Sequence, residues 1–533
     1  MKKLESIKFS LFGNMQTPAV SVPLGPTALL IGIVGVLMRI RFYYSFGATS
    51  LTRDEAGLAL SFVDTGFFEL LKPLRWDQAA PIGFLLAEKA VMDVFGSSEL
   101  SFRLFSLVTS ILIIPLFYLL VRDVLSPVGV LVGLAIITLS EPLIYWGTLF
   151  KQYSFDVLIA LVLLNLGRWA LRKSPVNGRY VVLGVIGAAA VWLSFPSVFV
   201  IGGVGFTLIA SDLLEGRRRE AVAWVASMSV CSVSFGLAYL LSFRYYAKND
   251  NLSTWWTYAF APMPPRSMGD VKWYIDNFFL LFPSELGLRD AGLCGALLLF
   301  GTYSLWRDPA RRAAVPLFLG PIILTLIASG LRKYPFGDRT MLFSNPLLAT
   351  LVAAGVAAVW EVRQPTMKVF VAIIVGTMLL YPLYLDAKYM IDPQARIFMD
   401  VKPTLVYVAD HRKDGNVLYV HWDAETLYDY YVKKRDFRNL KDWQSVISRH
   451  PGNVSRRDKT AAYAKDVALL GSSRRVWVLL GIAGQQEEDV MLELLDRRGR
   501  RLDEFHGIGS AAYLYEFGPE GAGGVSHESI GRE

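Results

Sequence analysis

Three short clusters of charged residues interrupt an otherwise apolar chain. Leu51-Thr52-Arg53-Asp54-Glu55-Ala56-Gly57 follows the first long apolar run directly. Two adjacent carboxylates with an arginine beside them can supply a general base and its charge partner, or can close a hydrated loop where a helix is capped by Thr52 or Asp54. Thr148-Leu149-Phe150-Lys151-Gln152-Tyr153-Ser154-Phe155-Asp156 opens another apolar run. Ionisable groups at that depth point to a site; the alternative is Lys151 reaching back to the interface with Asp156 paired to it. Arg332-Lys333-Tyr334-Pro335-Phe336-Gly337-Asp338-Arg339 sets three cations around a Pro/Gly turn. That pattern suits a phosphate, which arginine holds bidentately, and also suits a loop resting on lipid headgroups. Arg103 and Glu141 sit inside apolar runs, where they either pair with each other or line a cavity. No histidine precedes His411, so acid–base chemistry in the apolar part falls to carboxylates, Lys, Arg and Tyr. The five histidines show no ligand spacing, and Cys231 and Cys294 lie in apolar runs, which leaves no disulfide framework or Cys-based zinc site.

The elements around these clusters are membrane helices. Of 533 residues, 53% are hydrophobic and 19% charged, against about 25% charged in a soluble domain. Eleven runs are long enough to span a bilayer: 24–46, 98–121, 127–147, 154–171, 179–195, 197–214, 221–243, 287–306, 313–331, 341–360 and 368–386. Residues 1–23 carry Lys2, Lys3 and Lys8 but no small-residue cleavage site, so the first run reads as an anchor. Pro81–Gly96 contains Glu88, Lys89 and Asp93 and reads as a helix lying along the interface. With that choice and a cytoplasmic N-terminus, every Arg-rich short loop, including Arg172 to Arg179, Arg217-Arg218-Arg219 and Arg307 to Arg312, falls on the inner side. The net charge of +8 belongs entirely to residues 1–386, because 387–533 holds 22 Lys+Arg and 22 Asp+Glu. A charge distributed that way is a signature of membrane orientation, and nucleic acid is not expected as a partner.

All three charged clusters then lie on the outer side, as does the tail. Residues 387–517 read as a small periplasmic α/β unit, with helices over 401–413, 423–434 and 487–500 and strands over Val417–Trp422, Val476–Leu480 and Ala512–Phe517. The Gly-rich end, 518–533, reads as disordered. Trp255-Trp256 reads as an interfacial anchor, and Asn251-Leu252-Ser253 and Asn453-Val454-Ser455 fit the glycosylation sequon.

The order of the motifs resembles one family. The Asp54-Glu55 pair, Asp77-Gln78-Ala79-Ala80-Pro81, Ser98-Glu99 with Arg103-Leu104, Lys151-Gln152-Tyr153-Ser154-Phe155-Asp156, Ser194-Phe195-Pro196, Phe260-Ala261-Pro262 and Tyr334-Pro335-Phe336-Gly337-Asp338-Arg339 are similar to the GT-C glycosyltransferases. The likeness is to the bacterial group that includes relatives of dolichyl-phosphate-mannose protein mannosyltransferases and aminoarabinose transferases. The resemblance implies a polytopic GT-C membrane domain over 1–386, with interfacial helices in its first outer loop. It also implies inverting transfer of a monosaccharide from a polyprenyl-phosphate donor to a glycan, lipid or protein acceptor, at the outer face of the bacterial cytoplasmic membrane. Asp54 would be the base, with Glu55 beside it and Asp156 the second-loop acid. Lys151, Arg339, Lys333 and Tyr153 would hold the donor phosphate, and Gln78, Arg103 and Gln152 would line the substrate site. No cofactor is expected; a divalent metal is conceivable in such an enzyme but not required by these residues. Trp256 is followed by Thr257 rather than the Asp of an oligosaccharyltransferase motif, which argues against transfer of a whole oligosaccharide to Asn. A transporter or flippase for a lipid-linked substrate is the alternative; it would show internal repeats with paired interrupted helices, and the sequence has neither.

Overall fold

The computed structural model describes residues 24–518, apart from 48, 64, 173–177, 248, 250–253, 363, 449–455, 471–474 and 482–484. Lys2, Lys3, Lys8, both sequons and the tail beyond Gly518 lie outside the described residues.

All eleven apolar runs are helical. They form α1 (Leu24–Gly47), α4 (Glu99–Val121), α5 with α6 (Pro127–Thr138 and Glu141–Trp146), α7 (Tyr153–Leu171), α8 (Arg179–Leu193), α9 (Ser197–Leu214), α10 (Arg218–Ala238), α12 (Ala291–Arg307), α13 (Ala314–Gly330), α14 (Asn345–Trp360) and α15 (Pro365–Ile391). Among the described residues, seven helices are long and apolar enough to cross a membrane by length and composition, and α5, α8 and α13 are shorter apolar helices. The chain is a multi-pass membrane protein. The run 127–147 breaks at Leu139-Ser140 because Pro142 has no N–H for the preceding turn, so a new helix starts with Pro near its N-terminus. Leu29, Leu30 and Leu37 on α1 and Val369, Phe370 and Leu380 on α15 point outward. Apolar patches of that kind on helix after helix face lipid rather than water.

Between α1 and α4 lie α2 (Arg53–Ala59) and α3 (Ile82–Phe95). At 14 residues α3 is about 21 Å long, too short to span. Its Lys89–Asp93 pair is 2.8 Å apart, while Glu88 faces inward, fully buried and with neither carboxylate oxygen hydrogen-bonded. Burial holds the Glu88 carboxyl well above the usual range. A further amphipathic helix, α11 (Met268–Leu281), leads into α12. Two glycines let α12 and α14 touch backbone to backbone: a Cβ on Gly355 would sit 2.1 Å from the Leu297 carbonyl, and one on Gly301 would sit 2.1 Å from that of Leu351.

The C-terminal unit comprises α16 (Lys402–His411), β1 (Val417–Val420), α17 (Glu425–Tyr428), β2 (Ser445–Ile447), α18 (Arg456–Leu469), β3 (Arg475–Leu480), α19 (Gln485–Asp496), β4 (Gly499–Gly507) and β5 (Ser510–Phe517). Its sheet runs β2-β1-β3-β5-β4, with β1 parallel to β2 and β3 and the β4–β5 hairpin antiparallel. Side chains alternate across it. Leu418, Val420, Trp477 and Leu479 join the core shared with the membrane helices, whereas Val417, Tyr419, Val476 and Val478 pack with Tyr463 and Met491 of α18 and α19. The predicted helix over 487–500 therefore ends at Asp496, and the charged stretch after it is an edge strand; β2 and α18 are additions to the sequence reading.

Candidate active site

The site is built where α1 ends and α4, α7 and α14 begin. Thr52 caps α2: its Oγ1 accepts the Glu55 N–H at 3.3 Å, and its own N–H donates to Glu55 Oε2 at 2.8 Å. Glu55 then turns inward, fully buried. Arg103 Nε and Nη2 donate to its two oxygens at 2.9 and 2.8 Å, and the Phe150 N–H adds 2.8 Å to Oε1. Arg103 also donates to the Ser50 and Phe46 carbonyls. Burial alone would raise the Glu55 carboxyl; Arg103 and the backbone donors outweigh it and hold it below the usual range.

With Glu55 turned in, Asp54 points the other way, its side chain 41% exposed. Its Oδ2 accepts from Arg339 Nη1 at 2.6 Å. The Arg339 guanidinium lies 5.5, 5.7 and 5.8 Å from the ring centroids of Trp256, Trp146 and Tyr153, and its Nε is buried without a partner. Lys151 is 6% exposed, and its Nζ donates to Gln78 Oε1 at 2.6 Å. Gln78 in turn donates to the Trp76 carbonyl at 3.0 Å, and Gln152 to that of Ala79 at 3.2 Å. The loop they hold has Trp76 and Asp77 in left-handed conformation, with φ of 59° and 51°, and Asn249 donates to Asp77 Oδ1 at 2.8 Å.

The charges act on one another. The surroundings of Asp54 oppose its ionisation, but Lys151, then Arg339 and Arg53, bring its carboxyl down to about 2. Burial lowers Lys151 to about 8 against the pull of Asp54. A carboxylate, an ammonium and a guanidinium thus share one partly covered pocket at a helix-end boundary. Such a group can position a phosphate and take a proton from a hydroxyl. Among the described residues no three His, Cys, Asp or Glu side chains form a group able to hold a metal ion.

Of the residues singled out in the sequence, Asp54, Lys151, Arg339, Tyr153 and Gln78 come together, with Gln152 bracing the same loop. Glu55 and Arg103 lie beneath them as a buried support; neither faces the pocket. Asp156 is buried in α7 with Oδ1 unpartnered, and Lys333 is exposed; no bond among the described residues joins either to the cluster. Two pairings that the sequence left open do not form. Lys151 bonds Gln78 rather than Asp156, and Arg103 pairs with Glu55 rather than Glu141, which instead binds Arg396. Trp256, expected as a membrane anchor, covers Arg339; with Trp146 it belongs to the site, and only an unusual density of aromatics marks either in the sequence.

Two solved structures share this architecture over nearly their whole length. ArnT from Cupriavidus metallidurans bound to undecaprenyl phosphate matches at 11% identity, covering 91% of this chain and 97% of that one with a TM-score of 0.50. Its apo state matches at 10% identity with the same coverage and TM-score. The chain has the GT-C fold. An Archaeoglobus fulgidus oligosaccharyltransferase in complex with Zn and sulfate aligns at 12% identity over 91% of this chain and 72% of that one, with a TM-score of 0.49. No family model matches the chain, and no curated protein does. The resemblance drawn from the motifs therefore holds at the level of fold.

Proposed function

We propose that the protein is an inverting glycosyltransferase that moves a monosaccharide from a polyprenyl-phosphate donor to a hydroxyl on a glycan, lipid or protein acceptor, at the outer face of the bacterial cytoplasmic membrane. The observation that carries this reading is the meeting of Asp54, Arg339 and Lys151 where the helices end. The ArnT structure bound to undecaprenyl phosphate supports it by analogy of fold.

In this reading Lys151 and Arg339 hold the donor phosphate, and the unpartnered Arg339 Nε offers it a further N–H. Asp54 takes the acceptor proton while the hydroxyl oxygen attacks the anomeric carbon. The bond from that carbon to the phosphate oxygen breaks, and the electron pair leaves on the phosphate, where the two cations stabilise it. A carboxylate held near 2 is a weak base. A phosphate that recruits both cations withdraws their pull and lets Asp54 rise toward the ordinary carboxylate range, so donor binding prepares the base. Carboxylate and cations suffice for these steps without a resident metal.

The test is purified protein with labelled polyprenyl-phosphate sugars, with and without chelator. Label transfers in both conditions, and Asp54→Asn abolishes transfer while the thermal unfolding midpoint stays put. Near-normal turnover in Asp54→Asn refutes the base assignment, and loss of transfer with chelator refutes the metal-free route.

A further inference from the structure

Helix α2 has seven residues, and so short a helix does not hold its own direction in water. From below it is braced by Glu55 and Arg103. From the opposite side it is held by the C-terminal unit, from residues 350 to 380 positions away. Tyr431 Oη accepts the Leu51 N–H at 2.7 Å and donates to Glu99 Oε1 at 3.0 Å, and Lys402 Nζ pairs with that same oxygen at 2.5 Å. The Tyr431 proton is thereby committed to Glu99, which leaves an oxygen lone pair directed at Leu51. The Ser50 N–H donates to Asp400 Oδ1 at 3.0 Å, and Ser50 Oγ accepts the Val401 N–H at 2.9 Å. Arg53 lies 4.7 Å over the Trp422 ring. Ser50 and Leu51 are fully buried, so water does not replace these partners when they are removed.

We propose that Tyr431 and Asp400 are positioning residues for Asp54: they fix the backbone of residues 50–51 against the Glu55–Arg103 support and so set where the Asp54 carboxylate stands. The proposal rests on the reading of Asp54 as the base. Neither residue touches the pocket. Their effect therefore falls on turnover and not on donor affinity, because Lys151 and Arg339 are carried by other segments.

The experiment compares full-length wild type with Tyr431→Phe and with Tyr515→Phe, whose hydroxyl bonds Asp496 at 2.6 Å within the C-terminal unit. Two quantities are read: amide hydrogen exchange of the peptide spanning 49–57, and kcat and donor KM for transfer. In Tyr431→Phe the exchange quickens at least about ten-fold, and kcat falls about 10- to 100-fold with donor KM within about two-fold. Tyr515→Phe changes neither. Unchanged exchange or unchanged kcat in Tyr431→Phe overturns the proposal, as does an equal loss in Tyr515→Phe, which would mean general loosening. If wild type transfers no sugar, the functional reading fails, and the exchange data alone decide whether Tyr431 holds the loop. If Tyr431→Phe does not accumulate as folded protein, Asp400→Ala takes its place: it loses turnover, and Asp400→Asn, which keeps an acceptor oxygen, restores it. Equal behaviour of the two overturns the proposal.

Discussion

Replacing Glu55 with Gln separates a scaffold from a catalyst. Each Glu55 oxygen accepts two N–H groups: Oε1 those of Arg103 Nε and Phe150, Oε2 those of Arg103 Nη2 and Thr52. Gln turns one oxygen into an NH2 group, so on either side two donors meet a third. Two bonds to a charged acceptor at about 1.5–3 kcal/mol each are lost, and Arg103, 1% exposed, keeps a buried charge without its partner, a change of about 3–5 kcal/mol in comparable pairs. Both routes give about 4 kcal/mol. With an unfolding entropy of roughly 2.1 cal/mol/K per residue, a chain of 533 residues loses about 4 °C in thermal midpoint for that amount. Tryptophan fluorescence during heating in detergent measures it, alongside transfer kinetics. The sign with pH is fixed as well. The folded Glu55 carboxyl lies below its unfolded value, so its contribution is complete at neutral pH and fades in acid as pH falls through the folded value. The gap between wild type and Glu55→Gln therefore narrows in acid, as pH falls below the unfolded value of 4.5 and through the lower folded one. Unchanged stability with loss of turnover at constant donor KM would refute the reasoning and return Glu55 to the chemistry.

Two further outcomes follow from the geometry. Lys151 loses its proton near pH 8, so donor KM rises about ten-fold per unit above that pH if the ammonium holds phosphate; over the same range, up to its unfolded value near 10.5, the fold gains stability because the unfolded chain binds the extra proton. A KM profile flat to pH 10 would discount Lys151. Gly355→Val forces Cβ into the Leu297 carbonyl and costs about 3 kcal/mol or more, whereas Gly376→Val, with nothing within 4 Å of its Cβ, leaves the midpoint unchanged; equal effects would disprove the close crossing of α12 and α14.

The fold was legible wherever the signal was local. Runs of about 20 apolar residues dictate helices whatever their neighbours, and Thr52 and Asp54 mark a helix start, though only the structure shows that Thr52 is the cap and Glu55 its reciprocal partner. Partnership was less so. Arg103 could be seen to need a carboxylate but not which one, since Glu55 is 48 residues away and Glu141 carries the same charge; only packing chooses. In the tail, β4 (Gly499–Gly507) begins with Arg500 and Arg501, which look like the basic end of a helix, because the strand lies at the sheet edge and alternates weakly in burial. Helix α18 was missed for a related reason: Arg-Arg-Asp-Lys-Thr-Ala-Ala-Tyr shows no apolar stripe until Tyr463 and Val467 meet the sheet.

The bond between Leu51 and Tyr431 joins residues 380 apart. At about 5–20 residues per second, roughly 20–75 s of synthesis separate the two. During that interval the growing chain gains Asp54, then Lys151 and then Arg339, yet lacks the partner of the Leu51 amide. Assembly of the pocket is therefore a late event in the life of the polypeptide, and a chain that ends between Arg339 and Asp400 carries Asp54, Lys151 and Arg339 while its first loop lacks every contact from the C-terminal unit.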